Sequence, residues 1–145
     1  MNDPSCPFCQ IIAGDLPGHL VLCDDVAVAF LDVRPLFAGH VLVVPVDHVV
    51  ALPDLPADQV GPFFERVQAL SLAVRDATGA QGTFVAMNNV VSQSVPHLHA
   101  HVVPRTKGDG LRGFFWPRTT YADDEHAAAV AQAISGAIED LSRPG

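Results

Sequence analysis

The chain has 145 residues, of which 49% are hydrophobic, and this size and composition predict one folded domain rather than a disordered segment. Sixteen acidic and eight basic residues give a formal net charge of −8, the wrong sign for a protein that binds nucleic acid by neutralising phosphates. The apolar runs are shorter than the roughly 18–20 residues of a membrane span, and the first residues do not resemble a secretory signal. We therefore expect a cytoplasmic protein with no nucleic-acid or membrane partner.

Apolar periodicity and turn signals predict three helices and five strands. In chain order they are a helix at residues 8–13, strands at 19–23, 26–31 and 40–44, a helix at 58–78, strands at 83–87 and 97–103, and a helix at about 123–141. Because the strands gather in hairpins instead of alternating with helices, the pattern predicts an α+β fold with an antiparallel sheet of about five strands. We expect a single domain over residues 1–145, with its core in residues 6–105.

Two of the three cysteines, Cys6 and Cys9, form a CxxC pair near the start of the chain. Because the third, Cys23, leaves an odd number, and the compartment is expected to be reducing, a disulfide framework is improbable. Metal binding and redox chemistry are the functional interpretations of the pair, and two idle thiols are the structural one. No strand is predicted before Cys6, which disfavours a thioredoxin-like redox motif.

The segment 96–104 contains three histidines that alternate with apolar residues. On a strand, alternate side chains face the same way, so His97, His99 and His101 are predicted to share one face. Three imidazoles on a core-facing surface are costly to satisfy, which favours a functional role over a purely structural one. The first and third Cα atoms are about 13 Å apart on a strand, so one metal held by all three is awkward and we expect divided roles.

A closed zinc site needs four thiolate or imidazole ligands, and Cys6 and Cys9 supply two. His48, just after the third predicted strand, and His97 can supply the others if their strands are neighbours. Spacing alone leaves His19, His40 and His126 as competitors.

His99, at the middle of the row, is then available for chemistry. An imidazole is a good nucleophile at neutral pH, and flanking donors can stabilise charge on a phosphoryl group. Directly before the row, Gln93, Ser94 and Val95 offer a hydroxyl and loop amides of the kind that bind phosphate oxygens. A Ser-His-Asp mechanism is disfavoured because the sequence has no GxSxG elbow.

Half of the eight basic residues lie within fourteen positions directly after the last predicted strand. They are Arg105, Lys107, Arg112 and Arg118, and the aromatic residues 114–116 lie among them. A solvated loop with an apolar anchor is one interpretation of this segment, and a surface for an anion or a partner subunit is the other.

Residues 97–103 match the signature of the histidine triad family, His-φ-His-φ-His-φ-φ with φ apolar. Segment 6–14 also resembles the N-terminal motif of the family's bacterial members, and segments 30–35, 39–45 and 93–96 are similar to family motifs in order and at similar spacing. The resemblance covers roughly residues 6–105. It implies a five-stranded antiparallel sheet and a homodimer in which two sheets join.

The resemblance also implies a mechanism. His99 would attack the α-phosphorus of a purine nucleotide, His101 would contact the phosphate, and Ser94 would hydrogen-bond near the leaving group. Asp32 would hold the ribose hydroxyls. Among the remaining implied substrate contacts, the purine wall would be Phe8, Ile11, Phe30 and Leu31, and the phosphate or ribose loop would include Asn88, Gln93 and Val95.

For the metal, the resemblance implies a structural zinc site of Cys6, Cys9, His48 and His97, with no cofactor needed for the chemistry. If zinc takes His97, that imidazole cannot also carry the leaving-group proton, so Ser94 or water must. One departure from the family pattern concerns the loop at residues 88–92, which is short and contains no glycine. The other is the basic and aromatic segment at residues 107–118.

The leading hypothesis is a nucleotidyl hydrolase that acts on purine nucleoside phosphoramidates or related nucleoside monophosphate conjugates through a nucleotidyl-histidine intermediate. A dinucleoside polyphosphate hydrolase or phosphorylase is the alternative within the same resemblance. A nucleotide-binding scaffold with little turnover is the alternative from another class.

Overall fold

The structure is a computed structural model that describes residues 2–111 and 118–141. It falls into two compact units, Met1–Asp109 and Gly110–Gly145. The first unit carries the sheet and two helices, and the second contains the C-terminal helix. Arg112 and the aromatic residues 114–116 lie outside the described residues, so their predicted role stays a prediction.

The observed elements follow the predicted order. They are α1 (Pro7–Ala13), β1 (Leu20–Cys23), β2 (Ala27–Leu31), β3 (Val41–Pro45), a short 3-10 helix (Leu52–Asp54), α2 (Ala57–Thr78), β4 (Gly82–Ala86), β5 (Ala100–Arg105) and α3 (Asp124–Leu141). Among the described residues, no helix is both long and apolar enough to cross a membrane.

The five strands form one antiparallel sheet in the order β1-β2-β3-β5-β4. The α+β prediction with five antiparallel strands is therefore confirmed. β5 lies between β3 and β4, and its register places His101 opposite Leu42 and Val102 opposite Val41. This order brings β5, and the histidine row that leads into it, next to the strand that leads to His48.

The two faces of the sheet bury different sets of side chains. On one face, alternate residues of the central strands pack against the apolar stripe of α2, which includes Phe63, Val67 and Leu70. On the other face, Val28, Phe30, Leu42 and Val44 pack against α1. Burial on both faces explains why β3 is apolar throughout. Leu98, Ala100 and Val102 belong to the α2 side, so the histidines that alternate with them face α1.

β5 begins at Ala100, three residues later than predicted, and ends at Arg105 rather than Val103. Pro45 ends β3, and its imide nitrogen has no hydrogen to donate to a neighbouring strand. The Leu98 amide instead donates to the Val49 carbonyl at 2.7 Å, and the His97 amide closes a tight turn on Val95. His97 and His99 therefore lie on an irregular stretch that leads into the strand, where their rings can take separate positions.

The helix ends follow ordinary capping rules. Cys6 caps α1, because its sulfur accepts from the Cys9 amide, and Gly14 ends that helix in the left-handed conformation. Gly79 ends α2 in the same way, as predicted. Asp123 accepts from the His126 amide at 2.8 Å, so it caps α3 rather than forming the helix's first residue.

Candidate functional site

Four side chains converge at the start of α1 with the geometry of a metal site. The ligand atoms of Cys6, Cys9, His48 and His97 all lie within 4.8 Å of one another. The Cys6 sulfur is 3.4 Å from Nδ1 of His97, and the Cys9 sulfur is 3.3 Å from Nδ1 of His48. A tetrahedral zinc ion with ordinary bond lengths places its sulfur and nitrogen ligands about 3.5 Å apart. The four residues therefore fit zinc, and they are the set that the family resemblance implies.

The surroundings of His97 and Cys9 affect how each can bind a metal. Nε2 of His97 lies 3.0 Å from the Pro45 carbonyl and donates to it, so Nδ1 carries a lone pair that faces the cysteines. Burial lowers the pKa of His97 to about 4, which keeps its ring neutral. Burial also raises the pKa of the Cys9 thiol, so a thiolate there needs a cation beside it. Since both nitrogens of His97 are engaged, the geometry favours the ligand role over the proton-shuttle role.

His99 is held so that one ring nitrogen faces the cavity. Its Nδ1 lies 2.7 Å from the His97 carbonyl and donates to it, which places the ring's lone pair on Nε2. The side chain is only 2% exposed, and the Phe8 ring packs edge-on against it at a centroid distance of 5.1 Å. A neutral imidazole in this tautomer can act as a nucleophile without first losing a proton.

His101 is oriented by His40, a residue that sequence reasoning considered only as a competing metal ligand. The Leu36 amide donates to Nδ1 of His40 at 3.1 Å, so the ring hydrogen of His40 is on Nε2. That nitrogen lies 3.0 Å from Nδ1 of His101, which must accept, and the His101 hydrogen is therefore on Nε2. His101 thus offers an N–H donor on its other side. The register of β3 and β5 brings the two rings together, and no local motif signals this contact.

Asp32, His40 and His101 also have their ligand atoms within 4.8 Å of one another. Oδ2 of Asp32 is 3.7 Å from Nε2 of His40. A metal at this place requires a lone pair on Nε2 of His40. Because the Leu36 amide donates to Nδ1 of this ring, the ring hydrogen is on Nε2 and occupies that position. We therefore interpret the trio as a hydrogen-bonded group and not as a second metal site.

A cavity of about 430 Å³ opens beside the histidines, within the range of small-ligand sites. Nine predicted site residues line it: Phe8, Ile11, Phe30, Leu31, Asp32, Ser94, Val95, His99 and His101. Sequence reasoning missed further lining residues, namely Pro7, Leu16, Pro17, Gly18, Val33 and Leu42. The cavity therefore has an apolar end near α1 and a polar end with two histidines, an aspartate and a serine.

Two predicted substrate residues, Asn88 and Gln93, are not among the lining residues of this cavity. Nδ2 of Asn88 donates to the Ser92 carbonyl at 3.2 Å. Both polar atoms of the Gln93 carboxamide bind main chain, one at Val90 and the other at Val50.

Two other concavities of similar volume lie in the first unit. One, of about 460 Å³, is lined by residues of β1 and α2, and there the Arg66 guanidinium is paired with the carboxylates of Asp24 and Glu65. The other is a depression of about 450 Å³ between α2 and β4. Among its lining residues the titratable side chain is Arg75, and the rest are apolar or neutral polar. The histidine cavity, with its convergent titratable groups, is therefore the candidate active site.

The partly buried position of His101 predicts a pH dependence of stability. Burial, reinforced by the neighbouring His99 and His40, lowers its pKa from an ordinary value near 6.5 to about 4. Between these values the unfolded chain binds a proton that the folded chain does not, so stability falls as the pH falls from about 6.5 to about 4. We expect the midpoint of thermal unfolding to drop over this range, and to drop less steeply in His101→Gln. An equal slope in His101→Gln and in the control variant His126→Ala would contradict this assignment.

An antiparallel α+β sheet with a histidine row beside a small-ligand cavity is the architecture of histidine triad proteins. The sequence matches the HIT domain family over residues 13–108, and the chain belongs to that family. It is 38% identical over 137 residues to Protein hit of Bacillus subtilis, which covers 92% of both chains. It is 29% identical over 137 residues to adenosine 5'-monophosphoramidase hnt1 of Schizosaccharomyces pombe, which covers 93% of this chain and 99% of that one.

Solved structures show the same fold. SMU.412c from Streptococcus mutans UA159 superposes with a TM-score of 0.85 at 32% identity, over 94% of this chain and 87% of that chain. A Zn-bound histidine triad family protein from Mycobacterium smegmatis superposes with a TM-score of 0.70 at 36% identity, over 91% and 97% of the two chains. HIT relatives thus include a named hydrolase and a zinc-bound protein.

Proposed function

We propose that this protein is a nucleotidyl hydrolase that cleaves purine nucleoside 5'-phosphoramidates, or related nucleoside monophosphate conjugates, through a nucleotide bound to His99. The observation that carries the proposal is the tautomer of His99, whose Nδ1–H is held by the His97 carbonyl while Nε2 keeps its lone pair. The relative named as an adenosine 5'-monophosphoramidase supports this reaction class.

In the first step, Nε2 of His99 bonds to the α-phosphorus while the bond from phosphorus to the leaving nitrogen breaks. The leaving nitrogen takes a proton relayed from solvent by the Ser94 hydroxyl and departs as an amine. The Nε2–H of His101 donates to a phosphoryl oxygen as negative charge builds there. A neutral ring with a pKa of about 4 is suited to this donor role.

In the second step, water attacks the phosphorus and the bond to Nε2 of His99 breaks. The water proton returns to solvent, so the cycle consumes one water and leaves the protein unchanged. The products are the nucleoside monophosphate and the free imidazole.

The two ends of the cavity would bind different parts of the nucleoside, the ribose at the polar end and the base at the apolar end. Asp32 lines the cavity beside the histidines, and its carboxylate can accept from the ribose hydroxyls. The Phe8 and Phe30 rings pack at a centroid distance of 5.3 Å, and with Ile11 and Leu31 they give a flat base an apolar wall.

Zinc has a structural role in this proposal. Cys6, Cys9, His48 and His97 would hold the ion in a closed site with no open coordination position. When bound, the ion crosslinks α1 to the segments that follow β3 and precede β5. No step of the hydrolysis passes through the metal.

We also propose that two copies pair through β4. This strand lies at one edge of the sheet, and Val85 is exposed on it. Phe64 and Leu72 of the neighbouring α2 are exposed as well. An edge strand beside exposed apolar side chains favours strand pairing with a second copy.

The test of the proposed function is a substrate panel measured on one enzyme preparation. Adenosine and guanosine 5'-phosphoramidates are expected to turn over with a higher kcat/KM than diadenosine polyphosphates. A higher kcat/KM for the polyphosphates would favour the alternative, a dinucleoside polyphosphate hydrolase or phosphorylase. Nucleotide binding without turnover of any compound would leave only the scaffold alternative.

Replacing His40 by phenylalanine is expected to lower kcat about 10- to 100-fold, because His101 loses the donor that fixes its tautomer. KM should change little, since His40 is not among the residues that line the cavity. Nitrogen NMR of the His101 ring checks the cause, with the Nε2–H tautomer expected in the wild type and a mixture in the variant. His126→Ala is the control, and an unchanged tautomer in His40→Phe would refute the positioning role.

A further inference from the structure

The loop that leads to Ser94 is held in an unfavourable backbone conformation without glycine. Val90 has φ of 72° and Ser92 has φ of 60°, both in the left-handed region. A β-branched residue is a rare outlier there, because its Cβ crowds the backbone. Such conformations persist only where surrounding contacts enforce them, and they are concentrated at functional sites.

The enforcing contacts are three hydrogen bonds made by two amide side chains. Oε1 of Gln93 accepts from the Val90 amide at 3.2 Å, and its Nε2 donates to the Val50 carbonyl at 2.6 Å. Oδ1 of Asn89 accepts from the Leu52 amide at 2.7 Å. Gln93 thus binds the strained residue with one end and a distant segment with the other.

That distant segment also holds the stretch that carries the nucleophile. The Val49 carbonyl accepts from the amide of Leu98, the residue directly before His99, at 2.7 Å. Residues 49–52 are therefore a common frame, to which the His99 stretch binds through Leu98 and the Ser94 turn binds through Gln93. His48, which precedes this frame, belongs to the metal cluster.

We propose that Gln93 is a positioning residue that fixes the Ser94 hydroxyl relative to His99, and that it does so through Val90 and Val50 and not by touching substrate. This inference rests on the proposed function, because Ser94 serves the leaving group there. Ser94 lines the cavity and Gln93 does not, although they are adjacent in sequence.

A double-mutant cycle tests the inference, with phosphoramidate turnover as its first readout. Gln93→Ala is expected to lower kcat about 10-fold, because small displacements of a reacting group are costly, while KM stays within about twofold. In a Ser94→Ala background, Gln93→Ala should have no further effect on kcat, since the group that it positions is gone.

The matched control is Gln81→Ala. Oε1 of Gln81 accepts from the Lys107 amide at 2.7 Å, a glutamine-to-backbone bond of the same kind near the other end of β4. It should leave kcat and KM unchanged. If the factors by which Gln93→Ala and Ser94→Ala lower kcat multiply in the double variant, the inference is overturned. A rise in KM alone would also overturn it, because it indicates a direct substrate contact.

Amide hydrogen exchange is the second readout and does not depend on turnover. Gln93→Ala should speed exchange at Val90, whose amide loses its acceptor, by about 10-fold or more, while amides of β2 keep their wild-type rates. Gln81→Ala should leave the Val90–Val95 rates unchanged. An unchanged exchange rate at Val90 in Gln93→Ala would overturn the positioning role of Gln93 even if the wild type proved inactive. If the wild type showed no turnover but the variants showed the expected exchange rates, the result would count against the proposed function and support the positioning role of Gln93.

Discussion

Replacing His99 by alanine is expected to lower kcat for an adenosine 5'-phosphoramidate by roughly 10⁴-fold or more, because the proposed nucleophile is removed. The effect should be larger than that of any other single substitution. In the described part of the chain, no other imidazole both lines the cavity and has its Nδ1–H bound to a main-chain carbonyl, which leaves the Nε2 lone pair free. Steady-state kinetics checks it.

A second variant separates chemistry from folding. His99→Asn keeps a side-chain N–H that can donate to the His97 carbonyl, so it should fold like the wild type and be as inactive as His99→Ala. His126→Ala removes an exposed histidine of the second unit and should retain full turnover. If both His99 variants retained near-normal kcat, covalent catalysis by this residue would be refuted.

Removing the metal is expected to have the largest effect on stability. Structural zinc sites contribute a large share of folding free energy, so chelation should lower the midpoint of thermal unfolding by about 10 °C or more. The crosslink that is lost joins α1 to His48 and His97. Assayed well below that midpoint, the chelated protein should lose less than about 10-fold in kcat, because no step uses the ion.

The three cysteines provide a matched set of variants. Cys6→Ser and Cys9→Ser should reproduce the loss of stability and should not retain zinc in elemental analysis. Cys23→Ser changes an exposed thiol outside the cluster and should retain about one zinc per chain. Equal stability and equal zinc content in all three variants would contradict the assignment.

Much of the fold follows from local patterns in the sequence. The alternation at residues 96–104 predicts that the three histidines share a face, and Leu98, Ala100 and Val102 do pack on the opposite side, against α2. Gly14 and Gly79 mark helix ends, because both take the left-handed conformation that glycine adopts without strain. The start of β5 was wrong by three residues, since it depends on where Pro45 ends the neighbouring strand.

The contacts that sequence reasoning missed are set by pairing across the sheet. His40 reaches His101 only because β3 and β5 are adjacent and in a given register. The four zinc ligands were named from a resemblance, and spacing alone could not separate His48 from His19, His40 or His126. The closeness of the ligand atoms depends on the packing of α1 against the ends of β3 and β5.

The role of Gln93 could not be read from the sequence for a similar reason. A glutamine before a serine and a catalytic strand suggests a substrate contact, whereas its carboxamide binds the main chain at Val50 and Val90. The loop at residues 88–92 contains no glycine, and only the structure shows that Val90 and Ser92 take the left-handed conformation there.

Trapping the covalent intermediate tests most directly whether His99 is the nucleophile. The protein is mixed with an adenosine 5'-phosphoramidate, quenched within one turnover, and analysed by intact mass and peptide mapping. We expect a mass increase of one adenylyl group, located on His99 and absent from His99→Asn. Full turnover with no adduct, or an adduct on a different side chain, would contradict it.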